Sequence, residues 1–171
     1  MDTSDLPKIV KDWIGKPMII IEHVLTVERG LWQNFCVAVG DGNPLYWNYA
    51  AASAMTGDII APPAMLPSWA IPHDWLPGAA EPTLRTLELH FRVKEALQLP
   101  RGIVTEVDLE FHEPIRAGDS VRAEQVLREV GAQEMTRLGP GRKWTIDVIY
   151  RKQGDALAGI QTLNFLGYRK E

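Results

Sequence analysis

The chain has 171 residues, of which 46% are hydrophobic and 23% are charged, and its formal net charge is −4 at neutral pH. This length supports one domain with its own hydrophobic core and is short for two. The acidic balance argues against a nucleic-acid partner, and no run approaches the roughly 20 apolar residues of a membrane-spanning helix.

The compartment is predicted from the N-terminus and from cysteine usage. The first residues lack the layout of a signal peptide, and the single cysteine, Cys36, permits no internal disulfide. We therefore predict a cytosolic protein. Cys36 falls in a helical apolar pattern, which favours a buried hydrophobic residue over a nucleophile. No spacing of His, Cys and Asp residues indicates a metal site.

The first part of the chain predicts a short lead, one strand and one helix. Residues 1–16 form an N-terminal lead, and a single domain is expected over residues 17–171. Residues 17–25 predict the first strand. From Thr26, a suitable N-cap, apolar residues recur at helical spacing until Gly40, which can end the helix. These apolar residues are Val27, Leu31, Phe35, Ala38 and Val39.

A polar turn and a proline pair lead into a central helix. Residues 41–44 have turn chemistry, and the alanine-rich residues 45–58 predict one or two short helical turns. Residues 64–71 can be helical because proline is tolerated in a first turn, whereas Pro67 and Pro72 bend or end the segment. We expect a short, bent helix whose apolar residues are Met65, Leu66, Trp69 and Ile71.

The pattern of the chain after Leu84 predicts β-strands. Apolar and polar residues alternate with a period of two in residues 87–94, 103–112 and 144–150, which is typical of antiparallel strands with one buried face. This alternation places His90 and His112 on the polar side, so we expect both to be exposed or at an edge.

Two further segments complete the predicted sheet. The alternation slips near Gln125 and Val126, which predicts a β-bulge, and residues 156–168 are apolar on both faces, which predicts a strand in mid-sheet. One strand, a few helices, a central helix and four or five long antiparallel strands predict an α+β fold. A strongly curved sheet wrapped around the central helix would accommodate both halves of the chain.

Four segments resemble one protein family by their order and spacing. They are Gly40-Asp41, Asn43 to Tyr46, Ile60 to Pro63, and His112 to Asp119. Over roughly residues 17–168 the chain resembles the MaoC-like enoyl-CoA hydratases and dehydratases, most closely the N-terminal, FAS1-like dehydratase branch. The resemblance implies a hot-dog fold, dimers of hot-dogs and reversible addition of water to a 2-enoyl thioester. Coenzyme A is the usual carrier, and no metal or redox cofactor is implied.

The chain departs from the catalytic members of that family at two positions. Those members carry Gly-Asp-x-Asn-Pro-hydrophobic-His, and here Tyr46 occupies the His position. A phenol with a pKa near 10 is a poor base at neutral pH. They also carry Ala-His-Gly, whose glycine N–H holds the thioester oxygen, and here Pro63 matches that glycine but has no N–H. Losing one oxyanion donor costs about 3–4 kcal/mol elsewhere.

The resemblance and its departures imply a non-catalytic or substrate-accommodating subunit of a hetero-oligomeric enoyl-CoA hydratase or 3-hydroxyacyl-CoA dehydratase. Its substrate would be a long or bulky acyl-CoA, and its partner a second MaoC-like subunit with an intact Asp/His motif. Asp41 would belong to a degenerate catalytic site. The substrate-binding candidates are Asn43, Tyr46, Pro63, Met65 and Trp69.

Other interpretations stay open at this stage. The chain could be a self-sufficient homo-oligomeric hydratase that uses Asp41, a hot-dog acyl-CoA thioesterase, or a non-enzymatic acyl-thioester binder. Asp41 could also simply stabilise the turn to Pro44. Trp47, Trp69 and Trp75 could form a flat wall for an acyl ring, or could serve ordinary packing.

Overall fold

The computed structural model describes residues 5–22, 25–73, 75, 77–78 and 84–170. The helices of this part are α1 (Lys8–Trp13), α2 (Arg29–Val39), α3 (Pro44–Trp47), α4 (Tyr49–Thr56) and α5 (Glu88–Ala96), with a central 3-10 helix over Pro63–Ala70. The strands are β1 (Pro17–Ile21), β2 (Arg101–Phe111), β3 (Val121–Thr136), β4 (Gly139–Lys152) and β5 (Leu157–Tyr168). A 3-10 turn over Gln153–Asp155 joins β4 to β5.

The strands form one antiparallel sheet in the order β1-β3-β4-β5-β2. The central 3-10 helix contacts β3, β4 and β5. Trp144, Ile146, Val148 and Tyr150 alternate along β4 and are buried, as their spacing predicted. The strand β5 lies between β4 and β2, which confirms its predicted place in mid-sheet. The predicted α+β fold, a sheet around a short helix, is therefore confirmed.

The boundaries of the first elements differ from the predictions. The first strand ends at Ile21, and α2 begins at Arg29 with Glu28 as its N-cap residue, not Thr26. The buried face of α2 is also different, because Trp32 and Cys36 are buried whereas Leu31 is 46% exposed. The predicted burial of Cys36 is confirmed. The buried pair is four residues apart, as one helix face requires.

The segment after Leu84 is a helix where the alternation predicted a strand. Leu89, His90 and Val93 are the buried residues of α5, and this spacing belongs to one face of a helix. On the outer face, Glu88 pairs with Arg92 at 3.1 Å and with Arg85 at 2.8 Å. A helical backbone brings residues four apart, such as Glu88 and Arg92, side by side. The local alternation was therefore misleading, and the prediction that His90 is exposed was wrong.

A side chain from β3 explains where α5 begins. Gln125 is completely buried. Its Oε1 accepts a hydrogen bond from the backbone N–H of Leu89 at 3.0 Å, and its Nε2 donates to the carbonyl of Thr86 at 2.9 Å. An unpaired N–H in the first helical turn is thereby satisfied. The predicted β-bulge lies slightly further on, between Leu127 and Glu129, so Gln125 keeps its inward position.

His90 is enclosed by aromatic rings. Its ring centroid lies 4.2 Å from that of Phe165 and 5.4 Å from that of Trp144. Its Nδ1 is buried, and no hydrogen-bond partner for it is found among the described residues. Burial, with the nearby charges of Lys94 and Arg85, lowers the pKa of His90 from 6.5 to about 4. The imidazole is therefore neutral in the folded protein at neutral pH.

We expect this buried imidazole to make folding stability depend on pH. Because the pKa of His90 is lower when folded, the unfolded chain binds the proton first, and stability falls as the pH drops below 6.5. The expected loss from pH 7 to 4.5 is about 2–3 kcal/mol in urea unfolding. His90→Phe should remove that part of the loss, whereas the exposed control His112→Phe should not. Equal pH profiles for the two variants would contradict this role of His90.

The strand β2 is exposed along nearly its whole length, although its alternation predicted one buried face. Among the described strands it pairs only with β5, and it forms one edge of the sheet. Its apolar side chains, Ile103, Val104, Val107, Leu109 and Phe111, are 37–48% exposed. The alternation identified the strand correctly. It did not reveal that the fold of this chain leaves both of its faces uncovered.

The central helix is a 3-10 helix, which fits the proline at its middle position. Pro67 lacks the N–H that a regular helix would use there. Met65, Leu66 and Trp69 are buried as expected, but Ile71 lies beyond the helix and is 43% exposed. The short helices α3 and α4 confirm the predicted turns in residues 45–58.

The N-terminal lead contains α1, whose Val10 is completely buried. The helix α1 contacts α5, so the lead packs on the domain. The division between residues 1–16 and 17–171 stays a prediction. No helix in the described ranges is both long enough and apolar enough to cross a membrane.

Candidate functional site

The Gly-Asp-Gly-Asn-Pro run forms a tight turn between α2 and α3. Gly40 ends α2 in the left-handed conformation, with φ of 69°. The carboxylate of Asp41 accepts a hydrogen bond from the backbone N–H of Asn43 at 3.0 Å. The side chain of Asn43 in turn caps α3 by accepting from the N–H of Leu45 at 3.1 Å. Asp41 therefore stabilises this turn through an Asx-type bond.

Tyr46 lies behind the turn with its ring buried and 8% exposed. Its backbone carbonyl accepts a hydrogen bond from the indole N–H of Trp32 at 3.3 Å. Burial and the charge of Asp41 raise the pKa of Tyr46, while a hydrogen bond from the Asn43 side chain opposes them in part. The phenol is thus neutral at neutral pH. Its chemistry at this position is that of a hydrogen-bonding group, not a base.

Backbone hydrogen bonds bring the turn, the Ala-Pro-Pro segment and the 112–119 segment together. The N–H of Ile60 donates to the carbonyl of Leu45 at 3.2 Å, and the N–H of Ala61 donates to that of Ile115 at 2.8 Å. The three sequence motifs therefore meet at one place in the fold.

A cleft of about 280 Å³ lies where these segments meet. It is lined by Thr56, Ile60, Ala61, Pro62, Pro63, Leu66, Phe111, His112, Glu113, Pro114, Ile115 and Ala158. Pro63 is the first residue of the central 3-10 helix and is exposed to this cleft. The wall is mostly apolar, as suits an acyl chain. Larger hollows of about 530 and 570 Å³ lie elsewhere and contain none of the predicted site residues.

His112 and Glu113 are cleft residues that the sequence interpretation did not propose as site residues. They directly follow β2, where the strand meets the cleft. His112 directly follows the last residue of β2, and its Nε2 is 2.9 Å from a carboxylate oxygen of Glu110. Their place at the start of the 112–119 motif was the signal that could have identified them.

The other predicted binding residues lie under the cleft or away from it. Met65 and Trp69 are 8% and 2% exposed and belong to the core. The indole N–H of Trp69 has no hydrogen-bond partner among the described residues. Trp75 is 72% exposed, so Trp69 and Trp75 occupy opposite environments. Asp41 and Asn43 thus lie in the turn between α2 and α3, and Tyr46 lies in α3 directly after it. Pro63 lines the cleft.

The buried carboxylate of Asp119 stabilises the 112–119 segment, which forms one wall of the cleft. Its oxygens accept hydrogen bonds from the Arg116 N–H, from Lys152 Nζ and from Gln153 Nε2, each at 2.8 Å. Burial by itself raises the pKa of Asp119, but these three donors outweigh it and the pKa is lowered. The Arg116 guanidinium then donates to the carbonyl of Thr56 at 2.6 Å. This network ties the 112–119 segment to α4.

Comparison with known proteins gives the family. A family model described as the FAS1-like, dehydratase domain region matches residues 13–158. The chain belongs to this family. In the part that the structure describes, no group of three or more His, Cys, Asp or Glu residues could hold a metal ion. That the protein needs no metal or redox cofactor stays a prediction.

Two curated relatives of this chain are named as alpha subunits. One, from Thermomonospora curvata, is named a probable enoyl-CoA hydratase alpha subunit and is 23% identical over 99% of the chain. The other, from Mycobacterium tuberculosis, is named 3-oxo-4,17-pregnadiene-20-carboxyl-CoA hydratase alpha subunit and is 27% identical over 82% of the chain. The chain spans about half the length of these relatives, 54% of the first and 40% of the second.

Solved structures show that the chain has the MaoC-like hot-dog fold. A chain of the ChsH1-ChsH2 complex from Mycobacterium tuberculosis superposes with a TM-score of 0.80 at 23% identity, over 99% of this chain and 94% of that one. A MaoC-like dehydratase from Rhodospirillum rubrum superposes with a TM-score of 0.61 at 15% identity, over 100% and 99% of the two chains. The hot-dog fold implied by the sequence resemblance is therefore confirmed.

Proposed function

We propose that this chain is the non-catalytic, substrate-accommodating subunit of a hetero-oligomeric enoyl-CoA hydratase or 3-hydroxyacyl-CoA dehydratase. The observation that carries the proposal is the chemistry of two positions at the meeting point of the motifs. By the motif resemblance, a buried, neutral Tyr46 stands where the catalytic members carry the imidazole, and Pro63 begins the central helix in the cleft without an N–H. Asp41 uses its carboxylate to stabilise the turn. The proposed setting is the cytosol.

The relatives support a hydratase of more than one subunit and a bulky substrate. Both curated relatives are named alpha subunits of hydratases, and the solved relative is a chain of the ChsH1-ChsH2 complex. The name of one relative contains a large ring-bearing acyl group, and the mostly apolar cleft would suit such a group. We extend these properties to this chain as parts of the proposal, with acyl-CoA as its substrate.

The exposed edge strand β2 is the surface on which we place the partner. Its apolar side chains are uncovered on both faces, and a free edge offers unpaired backbone groups to a second strand. Phe111 at the end of β2 also lines the cleft. A subunit that pairs with β2 would therefore cover the cleft as well, and it could bring its own Asp/His pair to the thioester.

The test is coexpression of this chain with a MaoC-like protein of the same organism that carries an intact Asp/His motif. We expect the two chains to copurify, and only the complex should remove the absorbance of a bulky 2-enoyl-CoA. Substitution of the partner's His residue should abolish turnover, whereas Asp41→Asn in this chain should leave most of it. Turnover by this chain alone at an ordinary enzymatic rate would contradict the proposal.

The same free edge favours one second candidate, a self-sufficient homo-oligomeric hydratase that uses Asp41. A second copy of this chain could pair with β2 in the same way. Mass measurement of the purified chain, together with the effect of Asp41→Asn on any activity, distinguishes the two candidates. The assay also follows release of free CoA thiol, because that product would reveal a thioesterase.

A further inference from the structure

The second half of the edge strand β2 carries its charge on one face only. From Glu106 to Phe111 its pairing with β5 is regular, so successive side chains point to opposite sides of the sheet. Val107 is paired with Leu163, which is only 4% exposed, and this pair places the apolar residues of the segment on the core side. The outer side carries an acidic stripe, which consists of Glu106, Asp108 and Glu110.

No Lys or Arg side chain pairs with the acidic stripe within the part of the chain that the structure describes. All three of its residues are exposed. Glu106 accepts a hydrogen bond from the neutral side-chain amide of Asn164 at 3.0 Å, and a carboxylate oxygen of Glu110 lies 2.9 Å from Nε2 of His112. The edge that a second chain would meet is therefore negative along its outer side.

A second copy of this chain fits this edge poorly. In an antiparallel strand pair, directly opposed side chains lie on the same side of the sheet. If two copies pair with both cores on one side, carboxylates oppose carboxylates wherever the two acidic stripes overlap. If one copy is turned over, its carboxylates oppose the apolar side chains of the other. Like charges that face each other destabilise a strand pair, and charged side chains on edge strands prevent self-pairing in many proteins.

We propose that the acidic stripe selects the partner subunit. The partner strand that pairs with β2 carries Lys or Arg side chains on its outer side and apolar side chains on its core side. Opposite charges at these positions attract this partner, whereas like charges repel a second copy of this chain. This selection rests on the proposed function, in which a MaoC-like subunit pairs with β2.

The first test needs only this chain. A charge-reversed variant combines Glu106→Lys, Asp108→Lys and Glu110→Lys, so its stripe is basic. An equimolar mixture of wild type and variant should associate about tenfold more tightly than either chain does alone, because carboxylates then oppose ammonium groups. Analytical ultracentrifugation at low and high salt measures the association. The advantage of the mixture should shrink at high salt, since the opposed groups are exposed.

A control variant reverses three exposed carboxylates outside β2, by Asp12→Lys, Glu28→Lys and Glu95→Lys. Its net charge equals that of the charge-reversed variant, so it measures the effect of total charge. It should gain no comparable affinity for the wild type. An equal gain in the control variant, or a mixture that associates no more tightly than the separate chains, would overturn the role of the stripe.

The second test measures binding to the MaoC-like protein of the coexpression experiment. The charge-reversed variant should bind about tenfold more weakly than the wild type. A neutral variant, which combines Glu106→Gln, Asp108→Asn and Glu110→Gln, keeps the side-chain shapes and should bind with a smaller dependence on salt. Wild-type affinity and salt dependence in both variants would contradict the selection. Turnover of a 2-enoyl-CoA by the wild-type complex would then still support the proposed function, so the two failures are distinguishable.

Discussion

Asp119→Ala is expected to lower the free energy of unfolding by about 3–5 kcal/mol, because it removes one partner from a buried charged network. The carboxylate is 8% exposed and accepts from Lys152 Nζ, from Gln153 Nε2 and from the Arg116 N–H. Without it, the ammonium group of Lys152, whose side chain is 13% exposed, loses its counter-charge. Urea unfolding at pH 7 measures the loss.

The pH dependence of that loss provides a second measurement. The folded pKa of Asp119 lies below its ordinary value of 3.8, so its contribution is present above pH 3.8 and disappears as the pH falls through the folded pKa. The difference between wild type and Asp119→Ala should therefore narrow in acid. Glu134→Ala removes an exposed carboxylate 3.0 Å from Lys143 and should cost no more than about 1 kcal/mol. Similar losses for the two variants would refute the network role of Asp119.

The second large effect is expected at Gly159, where β5, β2 and the central helix meet. A Cβ atom there would lie 2.4 Å from the carbonyl oxygen of Glu110 and 2.6 Å from a methyl carbon of Leu66. The carbonyl belongs to the neighbouring strand and cannot rotate away. We expect Gly159→Ala to cost about 3 kcal/mol or more in thermal or urea unfolding, and to displace β2 beside the cleft.

Two matched variants check the cause of that effect. At Gly131 in β3, a Cβ atom would meet its nearest neighbour, the carbonyl of Lys143, at an ordinary 3.5 Å. Gly131→Ala should therefore change stability by less than about 1 kcal/mol. In a Leu66→Ala background, which has its own loss of packing, Gly159→Ala should still lower the stability further by a large amount, because the Glu110 carbonyl remains. A negligible further loss in that background would show that the Leu66 side chain, and not the Glu110 backbone, caused the strain.

The strands β4 and β5 and the turn at Asp41 could be predicted from local pattern because their chemistry is local. Alternation along β4 coincides with its burial, and Asp41 bonds an N–H only two residues away. The helix α5 could not be predicted in this way, since residues 87–94 match a period of two as well as a helical face. Its start depends on Gln125, which is 36 residues from Leu89 in sequence.

The properties of the candidate site divide in the same way, into those of single residues and those that depend on the tertiary fold. That position 46 carries a phenol and that position 63 lacks an N–H follows from the amino-acid sequence by itself, because both are properties of single residues. Only the tertiary structure decided that His112 and Glu113 line the cleft and that the apolar side chains of β2 are exposed. Burial, edges and cavities are made by segments distant in sequence, so no local pattern contains them.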